Sequence, residues 1–222
     1  MRRYLFPVLM GVVGVAVLLS LGFWQLRRME EKRVYLDEIE ARIGNAAIPL
    51  PAVPEEGPHK FQAVWAEGRF TGDYLEVLAG QKGASPGVLV IEAFVLGDGR
   101  RIMVQRGFIE EDQRSIPRAP SAARVEGNLH WPQDADSSTP PPDAKTGLWF
   151  ARDVAAMAKA LNTEATLIVA SKPVGDGITP VPVDTSSIPN NHWGYAIQWF
   201  HLAATWAGMT VFLLWRIRAR KV

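Results

Sequence analysis

Apolar and polar positions divide this chain into two apolar ends and a middle of short apolar runs broken by Pro, Gly and charge. Residues 4–24, YLFPVLMGVVGVAVLLSLGFW, carry no charge. As a helix rising 1.5 Å per residue they reach about 31 Å, enough for a hydrocarbon core of roughly 30 Å. Arg2 and Arg3 also suit the n-region of a cleaved signal peptide. However, Leu21-Gly22-Phe23-Trp24 offers no small-residue cleavage site and the run is longer than a usual h-region, so an uncleaved anchor is expected. A second span is predicted over 192–215, with Trp193, Tyr195 and Trp199 at its start and Trp215 at its end, as suits two bilayer interfaces.

The first helix is predicted to run on through RRMEEKRVYLDEIEARI to about Ile43, where Gly44-Asn45 stops it. Pro49, Pro51, Pro54 and Pro58 then make an extended linker. Strand-like runs follow at 64–70, 74–78, 87–96, 101–109 and 125–129, and the turn Gly97-Asp98-Gly99 joins the third and fourth into an antiparallel hairpin. SSTPPPDAKTG reads as a loop. Asp153 caps a short helix, VAAMAKALN, and the strand ATLIVAS follows. The expected fold is an α+β membrane protein: two transmembrane helices flanking a mostly antiparallel β extracytoplasmic domain with a short helix. Its expected segments are an inner tail at 1–3, the first span at 4–24 and a helical extension with linker at 25–58. The extracytoplasmic domain at 59–191, the second span at 192–215 and a basic tail at 216–222 complete the chain.

Charge orients this layout. Arg216, Arg218, Arg220 and Lys221 follow the second span, whereas 175–192 contains neither Lys nor Arg. The positive-inside rule therefore puts the C-terminus in the cytoplasm, and two spans return the N-terminus there as well. Arg27, Arg28, Lys32 and Arg33 on the outer flank of the first span outweigh Arg2 and Arg3, and alone would point the other way. The unopposed bias of the second span decides the expectation. With no room before the first span for an Arg-rich amphipathic presequence, a bacterial plasma (inner) membrane with the central domain in the periplasm is expected. The 24 basic and 23 acidic residues nearly cancel, which gives no bulk charge to hold nucleic acid. The chain has no cysteine, which excludes disulfides, thiolate metal sites and covalent haem attachment.

Catalytic motifs are not in view. GASPG at 83–87 matches the spacing of a nucleophile elbow, but Pro86 has no N–H to give an oxyanion hole and no helix follows. His59 sits in the linker and His130 at a strand end beside Trp131, each without neighbouring ligand types. Glu110-Glu111-Asp112 reads as a solvated loop. The chain is therefore expected not to be an enzyme.

Ionisable groups within a span are functional candidates by default. His201 follows His192 by nine positions, roughly 13.5 Å and about 900° along a helix, so the two imidazoles face opposite ways and cannot share one metal. Structural readings exist for both: His192 as a helix-start residue among Asn190 and Asn191, His201 as a hydrogen-bonding partner of the first span. Antiparallel spans bring Trp24, Arg27 and Arg28 to the depth of His192, Trp193 and Tyr195, and the small residues Gly11, Gly14, Ala204 and Gly208 would let the helices approach closely. Imidazole, aromatic rings and arginines together suit a planar amphipathic ligand with a carboxylate edge, such as haem.

Four stretches carry a resemblance. LGFWQLRRMEEK (21–32) resembles the L-G-x-W-Q-x-x-R-x-x-x-K signature of the Surfeit locus protein 1 family, MVQRGFI its V-N-R-G-[FW]-V strand, LWFARDVAAMAKAL its W-x-x-R-D-x-x-A-M-A block, and NNHWGYAIQWFHLA its N-x-H-x-x-Y-A-x-T-W-[FY] motif. They occur in family order. The resemblance implies an assembly factor of haem–copper cytochrome c oxidase that binds haem a and aids its delivery to the catalytic subunit, with His192 on the motif histidine held to be the axial ligand. Trp24, Trp193 and Tyr195 would then pack the macrocycle and Arg27 or Arg28 meet the propionates. Expected partners are the oxidase catalytic subunit, a haem a synthase and the lipid bilayer. The alternative is a scaffold that steadies an oxidase subunit without holding haem. Gln105, Glu110 and Gln198 depart from the usual Asn, Pro, and Thr or Ser of the family; the first two concern packing of the periplasmic domain.

Overall fold

The computed structural model describes residues 2–80, 86–114, 118–186, 188 and 190–219, together with the side chains from Tyr4 onward within that set. It divides into two compact units, one formed by Met1–Glu38 with Thr185–Val222 and the other by Ile39–Asp184. Ser85 of the elbow-like sequence, and Arg220 and Lys221 of the basic tail, lie outside the described residues.

The helical unit is built from α1 (Arg2–Gly44) and α4 (His192–Ala219). α1 does run unbroken past the apolar stretch to Gly44, as its charged, helix-favouring continuation predicts. Both helices contain stretches long and apolar enough to cross a membrane. Glycines set their approach. A Cβ on Gly11 would fall 2.3 Å from Thr210 Cγ2, one on Gly14 2.3 Å from Trp206 Nε1, and one on Gly22 2.5 Å from Phe200 Cε1. Phe23 and Phe200 meet edge to face at 5.4 Å, and Trp206 Nε1–H donates to the Met10 carbonyl at 3.3 Å. On α4 the buried small residues are Ala196 and Ala203. Ala204 and Gly208 are exposed, and a Cβ on Gly208 would meet nothing, so the expectation that these two form the contact is corrected. They fall about 100° away from Ala203 and Ala207, which is enough to turn them off the shared face.

The second unit carries β1 (Ile48–Pro49), α2 (Glu56–His59), β2 (Ala63–Ala79), β3 (Gly87–Leu96), β4 (Arg101–Glu110), β5 (Ala122–Leu129), β6 (Leu148–Trp149), α3 (Val154–Leu161) and β7 (Leu167–Ala170). The runs 64–70 and 74–78 are one strand, not two. Its register shifts between Phe70 and Tyr74, where Gly72 takes φ +86° and donates its N–H to Glu92 Oε1 at 2.9 Å. This bulge bends β2, whose residues 63–69 pair with β5 and whose residues 68–70 and 74–79, on either side of the bulge, pair with β3. Continuing through β4 and β7 back to β5, the pairings close a five-strand ring. Pairings around the ring are antiparallel except β4–β7, while the two-residue strands β1 and β6 join β2 in parallel, so the sheet is mixed. The Gly97-Asp98-Gly99 hairpin forms as predicted: the Leu96 carbonyl accepts from Gly99 N–H at 3.0 Å and Gly99 takes φ +89°.

Strand alternation sorts the core. Phe70, Phe94, Ile102, Val104, Val125 and Ile168 pack in one cluster, while Ile91, Ala93, Met103, Leu167 and Val169 pack on the opposite face against Val154, Met157 and Leu161 of α3. Burial on both faces explains why β3 and β7 read as nearly continuous apolar runs. Asp153 caps α3 through Oδ1, which accepts from Ala156 N–H at 3.0 Å, and Asn162 ends it in the left-handed conformation. The first cluster's face also carries an ion pair. Arg106 donates to Glu92 Oε2 at 2.7 Å with both side chains fully buried, and its guanidinium lies 4.4 Å from the Phe70 ring centre. Arg106 also reaches Asp176 Oδ2 at 2.7 Å and the Val174 carbonyl at 3.1 Å, which ties the 171–178 loop to the barrel.

Candidate functional site

The N-terminal signature and the C-terminal motif meet at one hydrogen bond. His192 begins α4, and its Nδ1 lies 2.8 Å from Oε1 of Gln25 on α1. An amide oxygen only accepts, so Nδ1 carries the proton and donates. Nε2 has no hydrogen-bond partner among the described residues.

Beside His192, a groove of about 280 Å³ is lined by Arg28, Glu31, Lys32 and Tyr35. Gln25, Arg28 and Lys32 stand three and then four positions apart, which places them on one stripe of α1. They are the Q, R and K of the signature, whose Gly22 packs on Phe200. The two cations differ. Arg28 is committed to Glu31 at 2.7 Å, whereas Lys32 lies 5.6 Å from the Tyr35 ring centre and forms no ion pair among the described residues. Asn190, next to His192 in the motif, has its Oδ1 buried without a partner among the described residues.

The other sequence candidates fall in different places. Trp24, 47% exposed, lies one turn before Arg28 on the same face, and Tyr195, 53% exposed, lies three positions after His192 on its face. Arg27 instead lines a separate groove with Ser20, Phe23, Leu26 and Glu30. Trp193, 58% exposed, is one position from His192 and turned away from its face. His201 and Gln198 are exposed, and among the described residues His201 makes no hydrogen bond to the first span. Gln25, Lys32 and Tyr35 were not singled out from the sequence. The spacing of Gln25, Arg28 and Lys32 was the available signal, since signature residues on one helical face point at one partner.

The remaining motifs build the barrel. Gly107 of QRG takes φ +142°, and a Cβ there would fall 2.0 Å from the Thr179 carbonyl, so only glycine lets the 171–179 segment bridge to Phe108. Gln105, on the α3 side of β4, accepts from Arg152 Nη1 at 3.0 Å, and Arg152 also pairs with Asp134 at 2.6 Å. His59 Nδ1 accepts from the Glu55 N–H at 3.0 Å. His130 packs against Phe61 with 5.3 Å between ring centres, and its Nδ1 is buried without a partner among the described residues. Burial first, then the cations of Arg152 and Lys60, lower its pKa from the ordinary 6.5 to about 4. Among the described residues no group of three or more His, Asp or Glu side chains is gathered to hold a metal ion.

The SURF1 family model matches residues 12–204. Over 95% of this chain and 90% of the relative, the sequence is 28% identical to a SURF1-like protein of Rickettsia bellii (strain RML369-C). It is 28% identical to a SURF1-like protein of Monosiga brevicollis, covering 89% of this chain and 83% of that one. It is also 28% identical to Surfeit locus protein 1 of Xenopus tropicalis, covering 83% and 68% respectively.

Proposed function

The chain belongs to the SURF1 family of oxidase assembly factors, and on that premise we propose that it binds haem a in the membrane and aids its delivery to the catalytic subunit of a haem–copper cytochrome c oxidase. The observation that carries this reading is the His192 Nε2 left unpartnered beside a groove with two cations. The donor set fits the group: an imidazole nitrogen for iron, Lys32 and Arg28 for carboxylates, and the exposed rings of Trp24 and Tyr195 for an apolar face. Lys32 is favoured over Arg28 for the carboxylate because no acidic side chain among the described residues pairs with it. Haem is the cargo, and what it supplies is an iron that accepts the imidazole and a carboxylate edge that orients it. The protein is non-enzymatic: it holds, orients and releases.

The oxidase catalytic subunit, a haem a synthase and the lipid bilayer are the partners in this reading. The setting is a bacterial plasma membrane, crossed twice by α1 and α4, with both termini cytoplasmic and the barrel periplasmic. The test is the visible spectrum of the protein purified from cells that make haem a, beside His192→Ala and His201→Ala. Haem bands lost only in His192→Ala are expected. Three haem-free proteins would overturn the reading in favour of a scaffold that steadies an oxidase subunit.

A further inference from the structure

We infer that Gln25 is the positioning residue of the His192 site, fixing which imidazole nitrogen faces the ligand. This rests on the haem reading above and deepens it. A free histidine at neutral pH samples both tautomers, and a ring joined to the chain by two rotatable bonds samples several orientations. The 2.8 Å bond to Gln25 Oε1 removes both freedoms at once. It requires the proton on Nδ1, so Nε2 is the basic nitrogen, and it holds the ring against α1. Histidines that ligate iron or zinc commonly donate their other N–H to an oxygen in this way, and loss of that oxygen typically costs about ten- to a hundred-fold in affinity. The choice of glutamine is itself informative. A carboxylate at this position would pull the proton harder and give the ring imidazolate character, which favours ferric iron. The neutral amide orients the ring without that bias, as suits a site that must later release its cargo.

Gln25 stays in place because its helix does. Gly22, three positions earlier, lets α1 close on Phe200, and Phe23 stacks edge to face on the same ring. The carboxamide therefore meets α4 at the first residue of that helix, one turn before the buried Ala196. No acidic side chain ion-pairs with His192 among the described residues, so the amide is the only group fixing its proton there.

Two variants of the full-length protein in detergent test this. Gln25→Leu removes the acceptor, and Gln25→Glu keeps it but charges it. Gln25→Leu is expected to weaken haem a binding by about ten- to a hundred-fold with no change in the thermal unfolding midpoint. Gln25→Glu should retain affinity and lower the midpoint potential of the bound haem. A readout without haem accompanies them: nitrogen NMR of histidine-labelled protein should show His192 protonated at Nδ1 in the wild type and shifted toward the Nε2–H tautomer in Gln25→Leu. If both variants keep wild-type affinity, potential and tautomer while His192→Ala loses haem, the positioning role is overturned and the haem reading stands. If the wild type binds no haem, the haem reading fails, and the tautomer measurement alone still decides whether Gln25 fixes the ring; an Nε2–H tautomer in the wild type would sink it.

Discussion

Two polar pairs in this molecule, one within the β3–β4 hairpin and one joining residues 167 positions apart, differ in what surrounds them. Glu92 and Arg106 are sealed in the barrel, and the bulge amide of Gly72, the Val174 carbonyl and Asp176 take up further capacity of the pair. Gln25 and His192 make a single bond and leave an imidazole nitrogen beside a groove. Low dielectric makes an unpaired buried charge costly, so the opposite charges of this pair neutralise each other inside the core, although Arg106 Nε is buried without a hydrogen-bond partner among the described residues. A site for a ligand requires the opposite, a group whose partner is not supplied by the chain. The difference fits a folding role for the first pair and the proposed binding role for the second.

The largest expected effect breaks the first pair. Arg106→Leu strands the Glu92 carboxylate in the barrel and should cost about 3–5 kcal/mol, whereas Glu92→Leu, which leaves Arg106 paired with Asp176, and the double substitution should both be markedly less destabilising. Chemical unfolding of the full chain in detergent measures all three. An Arg106→Leu variant as stable as wild type would mean the pair is not sealed as described. These variants also sharpen the assignment, because any of them that still folds should bind haem as the wild type does.

The two histidines with one unusual nitrogen each extend the contrast. His192 has its Nδ1 satisfied by Gln25, whereas His130 buries its Nδ1 without a partner among the described residues. Burial and the nearby Arg152 and Lys60 outweigh Asp134 and Glu56, and the folded-state pKa falls from 6.5 to about 4. The folded protein thus holds fewer protons here than the unfolded chain between those values. Stability from this group is fully present above pH 6.5 and is lost as pH falls toward 4, by on the order of 3 kcal/mol across that window. Unfolding midpoints measured from pH 7 to 4 should drop accordingly, and His130→Phe should flatten the slope in that interval. An unchanged slope in the variant would place the acid sensitivity elsewhere.

What the sequence disclosed follows the range of the interactions. The two helices with long apolar stretches, the continuation of α1 to Gly44, the Gly97–Gly99 hairpin and the Asp153 cap are local, and each was readable from spacing and residue type. Closure of the barrel was not. It depends on a bulge at Thr71-Gly72-Asp73 that looks like a break between two strands, and on the pairing of β7 with both β4 and β5, which no local pattern announces. The site was half legible: His192 stood out as an ionisable residue at a span, while Gln25 is separated from it by 167 positions. Arg27 and Arg28 looked equivalent in sequence, yet one residue turns a helix by about 100° and sends them to different grooves.

The smallest effect tests whether a motif residue can be purely structural. Arg152 and Asp153 are adjacent in the block that resembles W-x-x-R-D, yet Asp153 acts only at the start of α3, where its Oδ1 takes the Ala156 N–H. Cap removal typically costs about 1 kcal/mol, because one amide of the first turn loses its partner. Asp153→Ala should therefore lower the unfolding free energy by about that amount, and Asp153→Asn, which keeps an acceptor oxygen, by much less. Met157, one turn into α3, stays buried in either case because the cap does not touch the helix's apolar face. Haem binding should be unchanged in both, since α3 belongs to the barrel unit and His192 to the helical one. A loss of haem in Asp153→Ala without a loss of stability would contradict the division between a barrel that supplies folding and a helix pair proposed to carry the ligand site.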